Sequence, residues 1–115
     1  MFIASWTCPS LRDHQAYFFA DEFSACQDTC AYILGSISKL TFKNYVHIRE
    51  AREINELIEL GTVKAYQEAI RKWNNSLLNY DNEPEYWSCY SVDIQKPRVP
   101  EILSDDFFEM ISEEV

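Results

Sequence analysis

The side chains best suited to chemistry are four cysteines, two histidines and a group of carboxylates near the C-terminus. Cys26 and Cys30 stand four residues apart. On a helix that spacing puts both thiols on one face, where two ligands can grip a zinc ion. The same positions fall in an apolar series with Phe23, Ile33, Leu34 and Ile37. A cysteine on such a stripe behaves as a small hydrophobe, so core packing without metal is the expectation. Cys8 and Cys89 are isolated in sequence, and the two-residue spacing of a zinc knuckle does not occur. Nothing local brings His14 or His47 to a thiol, as a Cys–His nucleophile requires. Neither a Gly-x-Ser-x-Gly nor a His-Glu-x-x-His motif occurs. Gly35 and Gly61 are the only glycines, too few for a phosphate cradle of backbone amides. The chain therefore reads as a non-enzyme with no catalytic residues, no cofactor and no metal.

Charge carries the stronger signal. The 115 residues sum to −9. Residues 101–115 contribute −6 of this, from Glu101, Asp105, Asp106, Glu109, Glu113 and Glu114, with no Lys or Arg among them. Residues 39–54 are locally basic, at +2. Such a balance repels nucleic-acid phosphates and anionic membranes, so neither is expected as a direct partner. It suits a larger protein with a basic surface. Asp105, Asp106, Glu109, Glu113 and Glu114 would steer that partner and Phe107 would help anchor it, because carboxylates at a rim speed encounter with a basic patch. Trp87 is the other candidate contact, in the aromatic run Tyr86-Trp87-Ser88-Cys89-Tyr90. Asp81, Glu83 and Glu85 precede that run, which gives the field the wrong sign for stacking single-stranded nucleic acid.

The elements that must position these groups follow from periodicity. Residues 2–7 alternate and predict a strand, broken at Cys8-Pro9-Ser10 and paired in a hairpin with an aromatic strand over 14–20. Asp21 is placed to cap a helix carrying the Cys26 and Cys30 stripe, and Gly35 near its end is expected to help stop it. Val46 and Ile48 alternate with His47 and Arg49, which predicts a third strand over 45–51. A short helix over 55–60 stops at Gly61. Thr62 then caps a longer helix to about residue 78, with its stripe at Val63, Tyr66, Ile70, Trp73 and Leu77. On that helix Glu68 and Lys72 are spaced for an ion pair. A fourth strand is expected over 86–94. Ser104, with Asp105 and Asp106 behind it, suits the start of an acidic C-terminal helix.

These readings give an α+β fold in the order β-β-α-β-α-β-α: a largely antiparallel sheet of about four strands with helices on one face. Residues 1–100 form one compact domain, and 101–115 belong to it as a terminal helix. Apolar residues at 47% and aromatics at 15% exclude a disordered chain. No stretch has the length of a signal peptide's apolar core or of a membrane span, so a cytoplasmic location with reduced thiols is the expectation. In size, acidity and lack of motifs the chain resembles the accessory proteins of bacteriophages and mobile elements, among them anti-CRISPR and anti-restriction proteins. The resemblance implies an inhibitor or adaptor, and no residue is carried over from it. The alternatives are a structural subunit or assembly factor and, more remotely, a small zinc protein or enzyme built on Cys8, Cys26, Cys30 and Cys89. The sequence does not fix an oligomeric state.

Overall fold

The N-terminal residues form a hairpin. β1 (Phe2–Cys8) runs antiparallel to β2 (Asp13–Phe19), with Ser5 facing Ala16 at the centre of an unbroken register. A single 3-10 turn, Pro9–Leu11, connects them. Arg12 closes that turn in the left-handed region, at φ 51°, and donates its N–H to the Pro9 carbonyl at 3.0 Å. Three helices follow: α1 (Glu22–Lys39), α2 (Tyr45–Leu60) and α3 (Val63–Asn79). β3 (Ser91–Gln95) returns to the far side of β1, giving the sheet order β2-β1-β3 with both pairings antiparallel. This computed structural model describes residues 1–40, 45–79 and 88–96. Over them the protein is an α+β fold of three strands and three helices.

The helix starts are set by their caps. Asp21 accepts a hydrogen bond from the Ser24 N–H at 2.7 Å, and Thr62 Oγ1 accepts one from the Ala65 N–H at 3.2 Å. Each satisfies a donor that a helix N-terminus leaves free. α2 ends at Gly61, whose φ of +71° lies where a side chain is strained. Gly35, by contrast, lies inside α1, which runs on to Lys39. It does not stop the helix.

The expected strand over 45–51 is instead the first half of α2. The alternation of Val46 and Ile48 spans too few residues to decide the matter, and Ile48 is 46% exposed. From Ala51 onward the apolar positions recur at helical spacing: Ala51 and Ile54 are buried, and Leu57 and Ile58 pack against the core. The short helix expected over 55–60 is the second half of this same element. Of the expected strand over 86–94, the described residues put Ser91–Gln95 in β3 and leave Ser88, Cys89 and Tyr90 outside it. The four-strand sheet and the order built on it are therefore corrected to three strands and β-β-α-α-α-β among the described residues.

The core lies where α1, α2 and α3 meet one another and the inner face of the sheet. Cys26, Cys30, Ile33 and Ile37 enter it from α1, and Tyr66, Ile70 and Trp73 from α3. Phe23 and Leu34 lie on the margin of the expected stripe and remain partly exposed. Trp73, 1% exposed, is the largest fully buried side chain. Its Nε1 donates to the Tyr90 carbonyl at 2.9 Å. The next residue, Asn74, brackets Val92, donating to its carbonyl at 2.7 Å and accepting from its N–H at 3.0 Å. Asn74 thus satisfies backbone groups on the outer edge of β3, and Trp73 holds the residue just before that strand. Glu68 pairs with Arg71 rather than with Lys72, and Lys72 reaches Glu53 of α2 at 3.4 Å.

Candidate functional site: an aromatic and carboxylate cluster

On the inner face of the sheet, Trp6 of β1 is ringed by three tyrosines from different elements. Tyr32 of α1 lies 4.3 Å away between ring centroids, Tyr17 of β2 5.4 Å away edge-on, and Tyr90 6.4 Å away. The Trp6 indole Nε1 is buried and makes no hydrogen bond among the described residues. Tyr32 Oη accepts the Tyr90 N–H at 2.8 Å, which joins α1 to the chain entering β3. Burial raises the Tyr32 phenol above its ordinary value.

Asp13 forms the polar border of this cluster. Its Oδ2 accepts from Tyr90 Oη at 2.5 Å and from Gln15 Nε2 at 2.7 Å. Gln15 Oε1 in turn accepts from Tyr17 Oη. The donors hold the Asp13 carboxyl below the usual range, Tyr90 contributing most. The bond to Asp13, helped by burial, pushes the Tyr90 phenol up to about 12. Asp13 is therefore ionised and Tyr90 neutral at physiological pH. A carboxylate beside partly exposed aromatic rings attracts a cationic side chain by charge and by the ring faces together. Asp13 and Tyr90 are 77 residues apart, so no local sequence signal could have joined them.

Cys8, Cys26 and Cys30 are buried, and Cys89 is half-buried. Cys26 and Cys30 are buried on α1, and Cys30 Sγ lies 3.8 Å from the Tyr66 carbonyl. Burial pushes Cys26 up to about 11 and Cys30 up to about 12, with Glu22 and the neighbouring thiol adding to it. Burial, with Cys8 nearby, also pushes Cys89 up to about 11. Thiols at such values are mostly protonated at neutral pH, which makes them poor nucleophiles. Among the described residues no three His, Cys, Asp or Glu side chains gather as a metal site would require. His14 Nδ1 lies 3.0 Å from Thr7 Oγ1 on the outer face of the sheet.

A second polar feature lies between α2 and α3, a groove of about 230 Å³ lined by Arg49, Arg71, Lys72, Glu50, Glu53 and Asn75 among others. Its two carboxylates offset two of the three cations, and Arg71 is paired with Glu68 at its edge. The contact residues expected from sequence, Trp87, Asp105, Asp106, Phe107, Glu109, Glu113 and Glu114, lie outside the described residues, as does the expected C-terminal helix. Among the described residues no helix is long and apolar enough to cross a membrane. Comparison with protein-family models, with curated proteins and with solved structures gives no match.

Proposed function

We propose that the protein is a small acidic interaction module, an inhibitor or adaptor of the phage or mobile-element accessory type, that binds a basic surface of a larger protein. An anti-CRISPR or anti-restriction role, in which the partner itself binds nucleic acid, belongs to this reading, as does a cytoplasmic location. The observation that carries it is charge: −6 of the net −9 falls within residues 101–115, interleaved with Phe107, Phe108, Ile111 and Val115. The Asp13 and tyrosine border adds a fixed anionic point among the described residues. Carboxylates concentrated in this way draw a Lys- and Arg-rich face from a distance, and apolar neighbours then hold it.

The test is affinity capture from the native cell, identification of the partner by mass spectrometry, and titration of the purified pair at low and high salt. Reversing Asp106, Glu109 and Glu113 to Lys is expected to slow association and flatten its salt dependence. Unchanged affinity of this triple variant at both salt concentrations refutes the acidic end as the binding element.

A further inference from the structure

We propose that two copies of this chain join β2 to β2, antiparallel, to form one continuous six-stranded sheet. β2 is an outer strand, so one row of its backbone N–H and C=O groups faces away from β1. Among the described residues no strand pairs with that row. The opposite edge is treated differently: on β3 the Asn74 side chain occupies both backbone groups of Val92. Edge strands are ordinarily blunted by brevity, Lys, Pro or a bulge. β2 has seven residues, neither Lys nor Pro, and pairs with β1 without interruption. Its side chains are open as well, with Phe18 64% and Tyr17 43% exposed.

The strand is also complementary to itself. Two identical antiparallel strands are related by a twofold axis, and paired residues share a face of the sheet. Only an axis at Ala16 pairs all seven residues of Asp13–Phe19. Two small side chains then meet on the axis. Gln15 faces Tyr17 of the second copy on the inner face, and His14 faces Phe18 of the second copy on the outer face. Asp13, the one carboxylate of the strand, faces Phe19 rather than another charge. Just beyond the strand, Arg12 comes alongside Ala20 and Asp21 of the second copy, at both ends by symmetry. Arg12 makes no ion pair among the described residues. Moving the axis to Tyr17 would instead set Asp13 against Asp21, so charge selects the Ala16 register over that neighbour.

The experiment is sedimentation equilibrium on the full chain from micromolar to submillimolar concentration. The parent is expected to approach twice its 13.6 kDa. Ala16→Lys places two ammonium groups face to face on the axis, and Phe18→Lys removes the exposed ring. Both positions are exposed, so the far-ultraviolet circular dichroism should not change. Each variant is expected to weaken the dimer tenfold or more, and Phe18→Lys decides if Ala16→Lys fails to fold. A parent that stays at monomer mass throughout overturns the proposal. So does a dimer that survives both substitutions, because its contact must then lie elsewhere.

Discussion

Replacing Trp73 with Ala tests the join between the helices and the sheet. The ring is 1% exposed and sits in the core with Cys30, Ile33, Ile54 and Ile70. Truncating a buried Trp to Ala costs about 3–5 kcal/mol through lost burial and the cavity left behind. The substitution also removes the donor that holds the half-buried Tyr90 carbonyl at 2.9 Å, a hydrogen bond worth roughly 1 kcal/mol. Together these exceed about 4 kcal/mol, a large share of the ~5–15 kcal/mol that holds a domain of this size together. With a urea dependence of ~1–3 kcal/mol per molar, the unfolding midpoint should fall by roughly 2 M or leave no folded baseline at all. Trp73→Phe keeps most of the apolar contact and loses the donor, so it should fall between variant and parent. The assay is urea titration followed by far-ultraviolet circular dichroism. A Trp73→Ala midpoint within error of the parent would refute the packing described for α3.

The two glycines should respond in opposite directions, measured by the same titration. Gly35→Ala adds a methyl group with nothing within 4 Å in a helix interior and should stabilise by ~0.5–1 kcal/mol, whereas Gly61→Ala forces a side chain at φ +71° and should destabilise by ~1–2 kcal/mol. Ellman's reagent should leave Cys26 and Cys30 unlabelled at pH 8 until denaturant is added, because burial and values of about 11 and about 12 withhold the thiolate. Prompt labelling of either native thiol contradicts that packing. Asp21 has its carboxyl lowered from 3.8 by the bonds to Ser24, so its cap is fully present above the unfolded value and lost as pH falls through the lower folded one. Asp21→Asn should therefore flatten the decline in melting temperature below about pH 4. An acid limb identical to the parent's would count against the cap.

The parts legible in sequence are those whose signal is local. The Asp21 and Thr62 caps, the hairpin and the stripe at Tyr66, Ile70 and Trp73 each lie within a few turns of chain, and the structure has them. At the start of α2, Val46, His47, Ile48 and Arg49 satisfy a two-residue period over a window too short to exclude helix. Weight on Ala51, Ile54, Leu57 and Ile58 reverses the reading. Before β3 an aromatic run resembles a strand, although Tyr90 enters the cluster around Trp6 before the ladder begins. That cluster and the Asp13 pairing are products of topology. They join residues from β1, β2, α1 and the approach to β3, and no pattern within one segment announces them.

The sheet order also has a consequence in time. β1 is the central strand, yet its two neighbours reach it very differently. β2 follows after a single short turn, while the hydrogen bond from Ser91 to the Thr7 carbonyl spans 84 residues. At ~5–20 residues per second of synthesis, β1 waits roughly 4–17 s with one edge bare before β3 leaves the ribosome. During that interval β1 is itself an edge strand, a place that β3 later takes. Throughout that interval only the local pairing with β2 is open to β1, and the three-stranded order waits on the last described strand.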